Sequence, residues 1–224
     1  EHAFQKLLFA EDTARGFAFI ELCRKRYDVI AMNPPFGAGT VNSKKYLDSN
    51  YIQSKSDLYA IFLERNIDLL EEKGSSAQIT NRTGFFLSSL ANWRTKIILE
   101  HYHVNIFADL GSGILDAMVE TAAYIFTKGV NKQLPSTFYN LLTTGESEKK
   151  SHLESLIKIG GSSMYYINTV KFSRLKNANF AYWIPEDLYK IIENNHIFES
   201  QGREARIGLS TGDDFQFIRY GQKF

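Results

Sequence analysis

The sequence predicts an α/β fold: a mostly parallel sheet with helices packed on it, followed by an appended α+β region. Three observations carry this. Short apolar runs alternate with helix-period segments between residues 27 and 128. The run YDVIAM at 27–32 ends on two prolines and glycines, as a buried strand does when it enters a loop. After Gly129 the alternation gives way to shorter, mixed segments.

Composition sets the bounds. The 224 residues suffice for one large domain, or one domain plus part of another. A hydrophobic fraction of 44% and a charged fraction of 23% are ordinary globular values and argue against disorder. The net charge of +1 gives no overall basic field, although a neutral average can hide a local basic face. Cys23 is the single cysteine, so no internal disulfide can form, which fits the reducing cytoplasm. No apolar run approaches the roughly 20 residues of a membrane span. The N-terminus lacks both the apolar core of a signal peptide and an initiator methionine.

The elements follow in order. Residues 3–24 carry Leu7, Leu8, Phe17, Phe19, Ile20 and Leu22 among charges and predict a helix broken near Gly16. The polar stretch 37–55 predicts a long loop, and such loops in compact domains are usually functional or mobile. Residues 56–74 predict a helix, with Tyr59, Leu63, Ile67 and Leu70 on one stripe and Phe62 and Leu69 beside it. Ser56 can cap its start and Gly74 end it. A strand at 77–81 follows. A helix at 88–102 turns Leu90, Trp93, Ile97 and Ile98 inward. Strands at 104–110 and 121–128 form a final antiparallel hairpin. Beyond it the sequence predicts strands at 136–142 and 164–172 and helices at 151–159 and 185–195. The Gly-punctuated tail at 206–224 has no terminal cap. The chain therefore divides into 1–129 and an appended region, 130–224.

The stretch Asn33-Pro34-Pro35-Phe36 is chemically pointed. Proline fixes its own φ and restricts the residue before it, so Asn33 and Pro34 are held extended. Neither proline has an N–H. The stretch offers acceptors, the Asn33 side-chain oxygen and nearby carbonyls, beside the flat apolar face of Phe36. The complementary ligand is an –NH₂ group on a flat ring. One hydrogen goes to Asn33, the other to the Pro34 carbonyl, and the ring stacks on Phe36. Base–aromatic stacking is worth ~1–3 kcal/mol. Asn-Pro is also a favoured turn opener, so a plain turn is the competing reading. The position at the carboxyl end of a sheet strand favours a ligand site.

At these residues the chain resembles the adenine-N6 DNA methyltransferases of the gamma motif order, which use S-adenosylmethionine. YDVIAMNPPFG is similar to their catalytic motif. SKSDLYAIFLERNIDLLEEKGSSAQITNRTGFFLSS and LGSGILDAMVETAAYIFTK resemble the helix–strand pair and the strand pair that follow it. NFAYWI at 179–184 and GLSTGDDFQFIR at 208–219 are similar to the stretch leading into target recognition. The stretch NSKKYLDSNYIQSKSDLYAIFLER is closest to BREX phage-defence and fused type IIG restriction-modification methyltransferases.

The resemblance implies a partial, Rossmann-like methyltransferase sheet and methyl transfer from S-adenosylmethionine to adenine N6 in DNA. Asn33 and Pro34 would hold the amino group of a flipped adenine, Pro35 would shape the turn, and Phe36 would stack on the base. Leu58, Tyr59 and Phe62 would lie on the cofactor side. The mechanism requires neither a metal nor a covalent nucleophile. The chain departs from the family in lacking an aromatic-x-Gly-x-Gly cofactor motif before Asn33. DLGSG at 109–113 follows a strand but stands where the family has its later strand pair. Ile114 and Leu115 occupy a place where family members often carry a base-stacking aromatic residue.

With the missing methionine, these departures predict a middle segment of a longer protein. It would be inactive alone, partnered by DNA and by the rest of its parent, and prone to self-association through the edge of YDVIAM. Lys44, Lys45 and Lys55, on the loop after the motif, could meet phosphates or simply be solvated. His101 and His103 lack a third ligand at metal-binding spacing and are expected at a helix end, facing solvent or the dipole. Two other functions stay open. One is a methyltransferase acting on protein glutamine or RNA guanine, which also present –NH₂ groups. The other is a non-catalytic DNA-recognition module.

Overall fold

A computed structural model of the chain describes residues 2–114, 119–129 and 133–195. Residues 1–184 form one compact unit and 185–224 a second. The first begins with helix α1 (His2–Arg24), which runs unbroken through Gly16. Nothing opposes Gly16 within 4 Å, so its missing side chain leaves no packing defect. Strand β1 (Tyr27–Met32) follows and leads into the Asn33–Gly37 strap.

The stretch expected to be a loop contains a helix, α2 (Val41–Asn50). Thr40 is extended, and its carbonyl accepts from the Ser43 and Lys44 amides at 3.1 and 2.9 Å. No residue of α2 is buried, which is why it leaves no apolar period in the sequence.

Helix α3 (Leu58–Leu69) is shorter than predicted at both ends. Asp57 rather than Ser56 caps it, and Leu70 turns extended (φ −86°, ψ 140°). Strand β2 (Leu70–Asn81) starts there. Its pairing with β1 runs Tyr27 to Leu70 and then Val29 to Ser75, so Glu71–Gly74 bulge out of the ladder. Gly74 belongs to this bulge, not to a helix end. A Cβ on it would lie 2.9 Å from the Glu71 carbonyl and 3.1 Å from that of Asp28.

The helical stretch after β2 includes a π turn, Trp93–Ile98, and ends in α4 (Leu99–His101). Strand β3 (Tyr102–Gly111) and strand β4 (Thr121–Lys128) form the predicted antiparallel pair. His103 is therefore in β3 rather than at a helix end. It is buried, and its Nδ1 has no hydrogen-bond partner among the described residues.

The sheet continues past residue 129. Strand β5 (Ser136–Asn140) pairs parallel with β3, from Ile106–Thr137 to Asp109–Asn140. Helix α5 (Lys149–Ile159) follows it, and strand β6 (Met164–Ile167) then pairs antiparallel with β5. The strand expected over 164–172 stops at Ile167, and Thr169–Arg174 is a 3₁₀ turn. The strand order is β1-β2-β4-β3-β5-β6.

One sheet face packs on α3, the π turn and residues 172–182. Phe85, Trp93, Phe107, Tyr124, Phe126, Phe138, Phe172, Phe180 and Tyr182 fill this core. On the other face α5 covers the β3–β5 end through Leu156 against Ala108, Tyr139 and Leu141. The rest of that face, around Ala31, Ala77, Ile79, Ile106 and Ile125, is an open apolar groove of about 410 Å³. The outer edge of β1 has no strand partner among the described residues.

The second unit is described over α6 (Glu186–Asn194), which starts after Pro185 with Glu186 and Asp187 in its first turn. The tail at 206–224 lies outside the described residues. No helix among the described residues is long and apolar enough to cross a membrane.

Candidate active site

β1 and β2 run parallel, paired as far as Met32–Gln78, so both deliver their following segments to the same end of the sheet. The strap leaves from Met32. Asn33 is exposed, and its side chain has no hydrogen-bond partner among the described residues. Pro34 is buried, Pro35 exposed and Phe36 half-buried. Phe36 meets the ring of Tyr59 edge-on, with centroids 6.2 Å apart and planes at 88°.

The far end of the strap is fixed by hydrogen bonds. Gly37 takes φ +95°, which favours glycine. Its amide donates to Asp57 Oδ1 at 2.9 Å, and its carbonyl accepts from the Leu58 amide at 2.8 Å. The same Asp57 oxygen accepts from the Tyr59 amide at 3.4 Å. Burial raises the Asp57 pKa, and the backbone donors of Gly37, Tyr59 and Leu58 offset part of that rise.

The three expected cofactor-side residues part company. Tyr59 is 1% exposed and lies within the core, against Trp93 at 5.8 Å. Burial raises its phenol pKa. Leu58 is partly buried at the start of α3. Phe62 is 41% exposed. It lines a shallow, largely apolar groove of about 390 Å³ with Val29, Ile30, Met32 and Leu69. Lys44 and Lys45 are exposed on α2, and Lys55 is exposed on the turn before α3.

The segment after β2 backs Tyr59, the ring that meets Phe36. Asn81 accepts from the Thr83 amide at 2.9 Å and from its hydroxyl at 2.8 Å, tightening the turn. The phenol of Tyr59 sits over Gly84, where a Cβ would fall 2.0 Å from Tyr59 Oη.

Arg82 grips the fully buried Asp109 with two bonds, 2.6 and 3.0 Å, and Glu120 with a third at 2.7 Å. The Tyr182 hydroxyl donates to Asp109 at 3.0 Å. The Asp109 charge is thus fully compensated, as a buried carboxylate requires. The Arg82 guanidinium also lies 4.7 Å from the Phe86 ring.

Arg94, in the π turn, is buried and donates to the carbonyls of Gly84, Leu87 and Asn177 and to Asn179 Oδ1. Burial pushes its pKa down to about 10. It ties the Gly84–Leu87 turn to the left-handed pair Asn177 and Ala178 (φ 61° and 50°).

The glycines of DLGSG serve packing. A Cβ on Gly113 would lie 2.6 Å from the Glu146 carboxylate, and the Lys149 ammonium donates to the Ser112 carbonyl. Ile114 packs against the small core beneath α5. Leu115 lies outside the described residues. No cluster of three or more His, Cys, Asp or Glu able to hold a metal occurs among the described residues.

Arg82, Asp109, Arg94 and Asp57 were not singled out from the sequence. The pairing of Arg82 with Asp109 spans 27 positions and depends on strand order. Asp57 alone carried a local signal, an acid just before an apolar helical run.

The Eco57I restriction-modification methylase family matches residues 2–114, half of the chain and all of the strap. The chain belongs to this family. Within the Eco57I methylase match lie β1, the strap, α3, β2 and β3.

Adenine-specific methyltransferase PglX of Lacticaseibacillus casei (strain Zhang) is 27% identical over 206 residues, covering 87% of this chain and 17% of that protein. Adenine-specific methyltransferase BrxX of Escherichia coli O9:H4 (strain HS) is 27% identical over 171 residues, covering 71% and 13%. The chain thus spans a small part of the curated relatives it matches. The methyltransferase subunit of a type I restriction-modification system from Streptococcus thermophilus shares the fold with a TM-score of 0.53. It is 14% identical over 70% of this chain and 38% of that one.

Proposed function

We propose that the protein carrying this chain transfers a methyl group from S-adenosylmethionine to adenine N6 in DNA, in restriction-modification or phage defence. The observation that carries this is the strap itself. An exposed Asn33 side chain, without a hydrogen-bond partner among the described residues, stands beside a rigid Pro-Pro pair and a half-buried aromatic ring at the carboxyl ends of β1 and β2. Membership of the Eco57I methylase family and the names of PglX and BrxX support the substrate class.

The geometry does the following chemistry. Asn33 Oδ1 and the Pro34 carbonyl accept the two N–H bonds of the adenine amine. This orients the amine and keeps electron density on nitrogen. Phe36 stacks on the flipped base, and Tyr59 beneath stops the ring from sinking. The nitrogen would gain the methyl group as the methyl–sulfur bond breaks, and one N–H proton, hydrogen-bonded to Asn33 or Pro34, would then pass to water, since neither amide oxygen is basic enough to keep it. Leu58 and Phe62 fit the ring-binding side of S-adenosylmethionine, because Phe62 exposes a flat apolar face into the groove beside β1. That cofactor, when bound, supplies an electrophilic methyl group on a sulfonium.

In this reading 1–129 is the catalytic half and 130–224 leads into target recognition. Lys44, Lys45 and Lys55 approach DNA phosphates. The chain alone lacks the main cofactor motif and is inactive. The open edge of β1 pairs with another strand, either from the parent protein or from a second copy. A protein that modifies its own cell's DNA works in the cytoplasm.

The test is methyl transfer by the full protein from labelled S-adenosylmethionine to duplex DNA, followed by digestion to nucleosides. N6-methyladenine is the expected product. Label on guanine, on protein or nowhere would overturn the reading.

A further inference from the structure

We propose that Asp57 is a positioning residue whose carboxylate anchors the Asn33–Gly37 strap and so aims Asn33 and Phe36. The inference rests on the amino-group reading above. At its first end the strap is held by the β1–β2 ladder, which closes at Met32–Gln78. Pro34 and Pro35 have no N–H and cannot fasten the middle by donating a hydrogen bond. The second end is Gly37, the residue with the widest conformational freedom, held at φ +95°. Its orientation depends on the two bonds across to residues 57 and 58.

Asp57 also sits at the N-cap of α3, and capping alone could account for an acid there. The distances separate the roles. The bond to the Gly37 amide is 2.9 Å, at the centre of the normal range. The bond to the Tyr59 amide is 3.4 Å, beyond the usual 3.2 Å limit. The carboxylate favours the strap over the helix. The next residue but one, Tyr59, supports Phe36 from below. Residues 57–59 thus fix both the end of the strap and the angle of its ring.

The test uses the full protein and two variants. Asp57→Asn keeps an acceptor oxygen at the same reach. Asp57→Ser keeps a helix cap but is too short for Gly37. Misplacing a reacting group by about 1 Å can cost 10²-fold in rate, so Asp57→Ser should lower kcat by about 10–100-fold, with KM for DNA changed less than about threefold. Asp57→Asn should stay within about fivefold of the parent kcat, since it loses charge assistance but not geometry.

A readout independent of activity is amide exchange of peptide 33–39. It should speed about tenfold in Asp57→Ser and stay near the parent rate in Asp57→Asn, on the scale of local openings. Equal kcat and equal exchange in Asp57→Ser and the parent would overturn the anchor while leaving the adenine reading intact. Faster exchange in a protein that methylates no adenine would overturn the adenine reading and leave the anchor standing. If Asp57→Ser does not fold, Asp57→Thr, another short helix cap, takes its place: faster exchange of 33–39 supports the anchor, and exchange at the parent rate overturns it.

Discussion

Gly84→Ala tests the wall behind the strap. The new Cβ would lie 2.0 Å from Tyr59 Oη, 2.9 Å from Cζ and 3.1 Å from Cε2. Ordinary contact needs at least 3.4 Å, so the phenol must move by more than an ångström. Tyr59 is boxed in by Phe36 at 6.2 Å and Trp93 at 5.8 Å, and Phe85 in turn lies 5.3 Å from Trp93. Overpacking a filled core costs about 1–3 kcal/mol. Equilibrium urea unfolding followed by tryptophan fluorescence reads this directly, because Trp93 is in the cluster. For a chain of this size the melting temperature should fall by about 2–12 °C. Tyr59→Phe removes the closest atom but leaves Cζ and Cε2, so the double variant should recover part of the loss, a coupling of about 0.5–2 kcal/mol. A Gly84→Ala protein as stable as the parent, or a double variant whose losses simply add, would refute the packing argument.

Three further outcomes follow from other parts of the molecule. Asp109→Ala leaves the Arg82 fork and the Tyr182 hydroxyl without their shared partner, and should destabilise the fold by about 3–5 kcal/mol in chemical denaturation. A loss under 1 kcal/mol would show the network to be dispensable. Burial lowers the His103 pKa, so near pH 6.5 the unfolded chain binds a proton that the folded chain refuses. Stability should therefore decline as pH falls from about 7 and level off below the folded pKa, and His103→Gln should flatten that decline. An unchanged profile in His103→Gln would place the titrating group elsewhere. Lys44→Ala with Lys45→Ala in the full protein should weaken DNA binding and reduce its salt slope by about 1–2. Identical slopes would mean that α2 faces solvent and not phosphates.

Local features of the sequence were legible and non-local ones were not. β1 and its breaker motif, the apolar stripe of α3 and the strand at 121–128 declare themselves within a few residues. Helix α2 is silent because it buries nothing, so no period marks it. The early start of β2 is hidden by the bulge over Glu71–Gly74, whose Lys73 (φ 66°) and glycine look like a helix end. β5 reads as a strand, but no local signal reveals that it joins β3 in parallel, passing over β4, its predecessor in the chain. At the site, Asn33–Phe36 could be singled out from chemistry alone. What holds them could not. Asp57, Tyr59 over Gly84, and Arg82 with Asp109 come together only when β2 and β3 have taken their places. Tyr59 illustrates the limit: spacing put it on the inward stripe, yet gave no hint that its ring would underlie Phe36.

The central claim is that Asn33 presents an acceptor to the adenine amine. The direct measurement is single-turnover methyl transfer to N6 of adenine by the full protein and by Asn33→Ala, with binding of the same duplex measured alongside. Removing one oriented polar group from a transition state costs about 10²–10³-fold. Asn33→Ala should lose transfer by that factor while binding DNA within about threefold of the parent, because phosphate contacts supply most of the affinity. Undiminished transfer by Asn33→Ala would contradict the account.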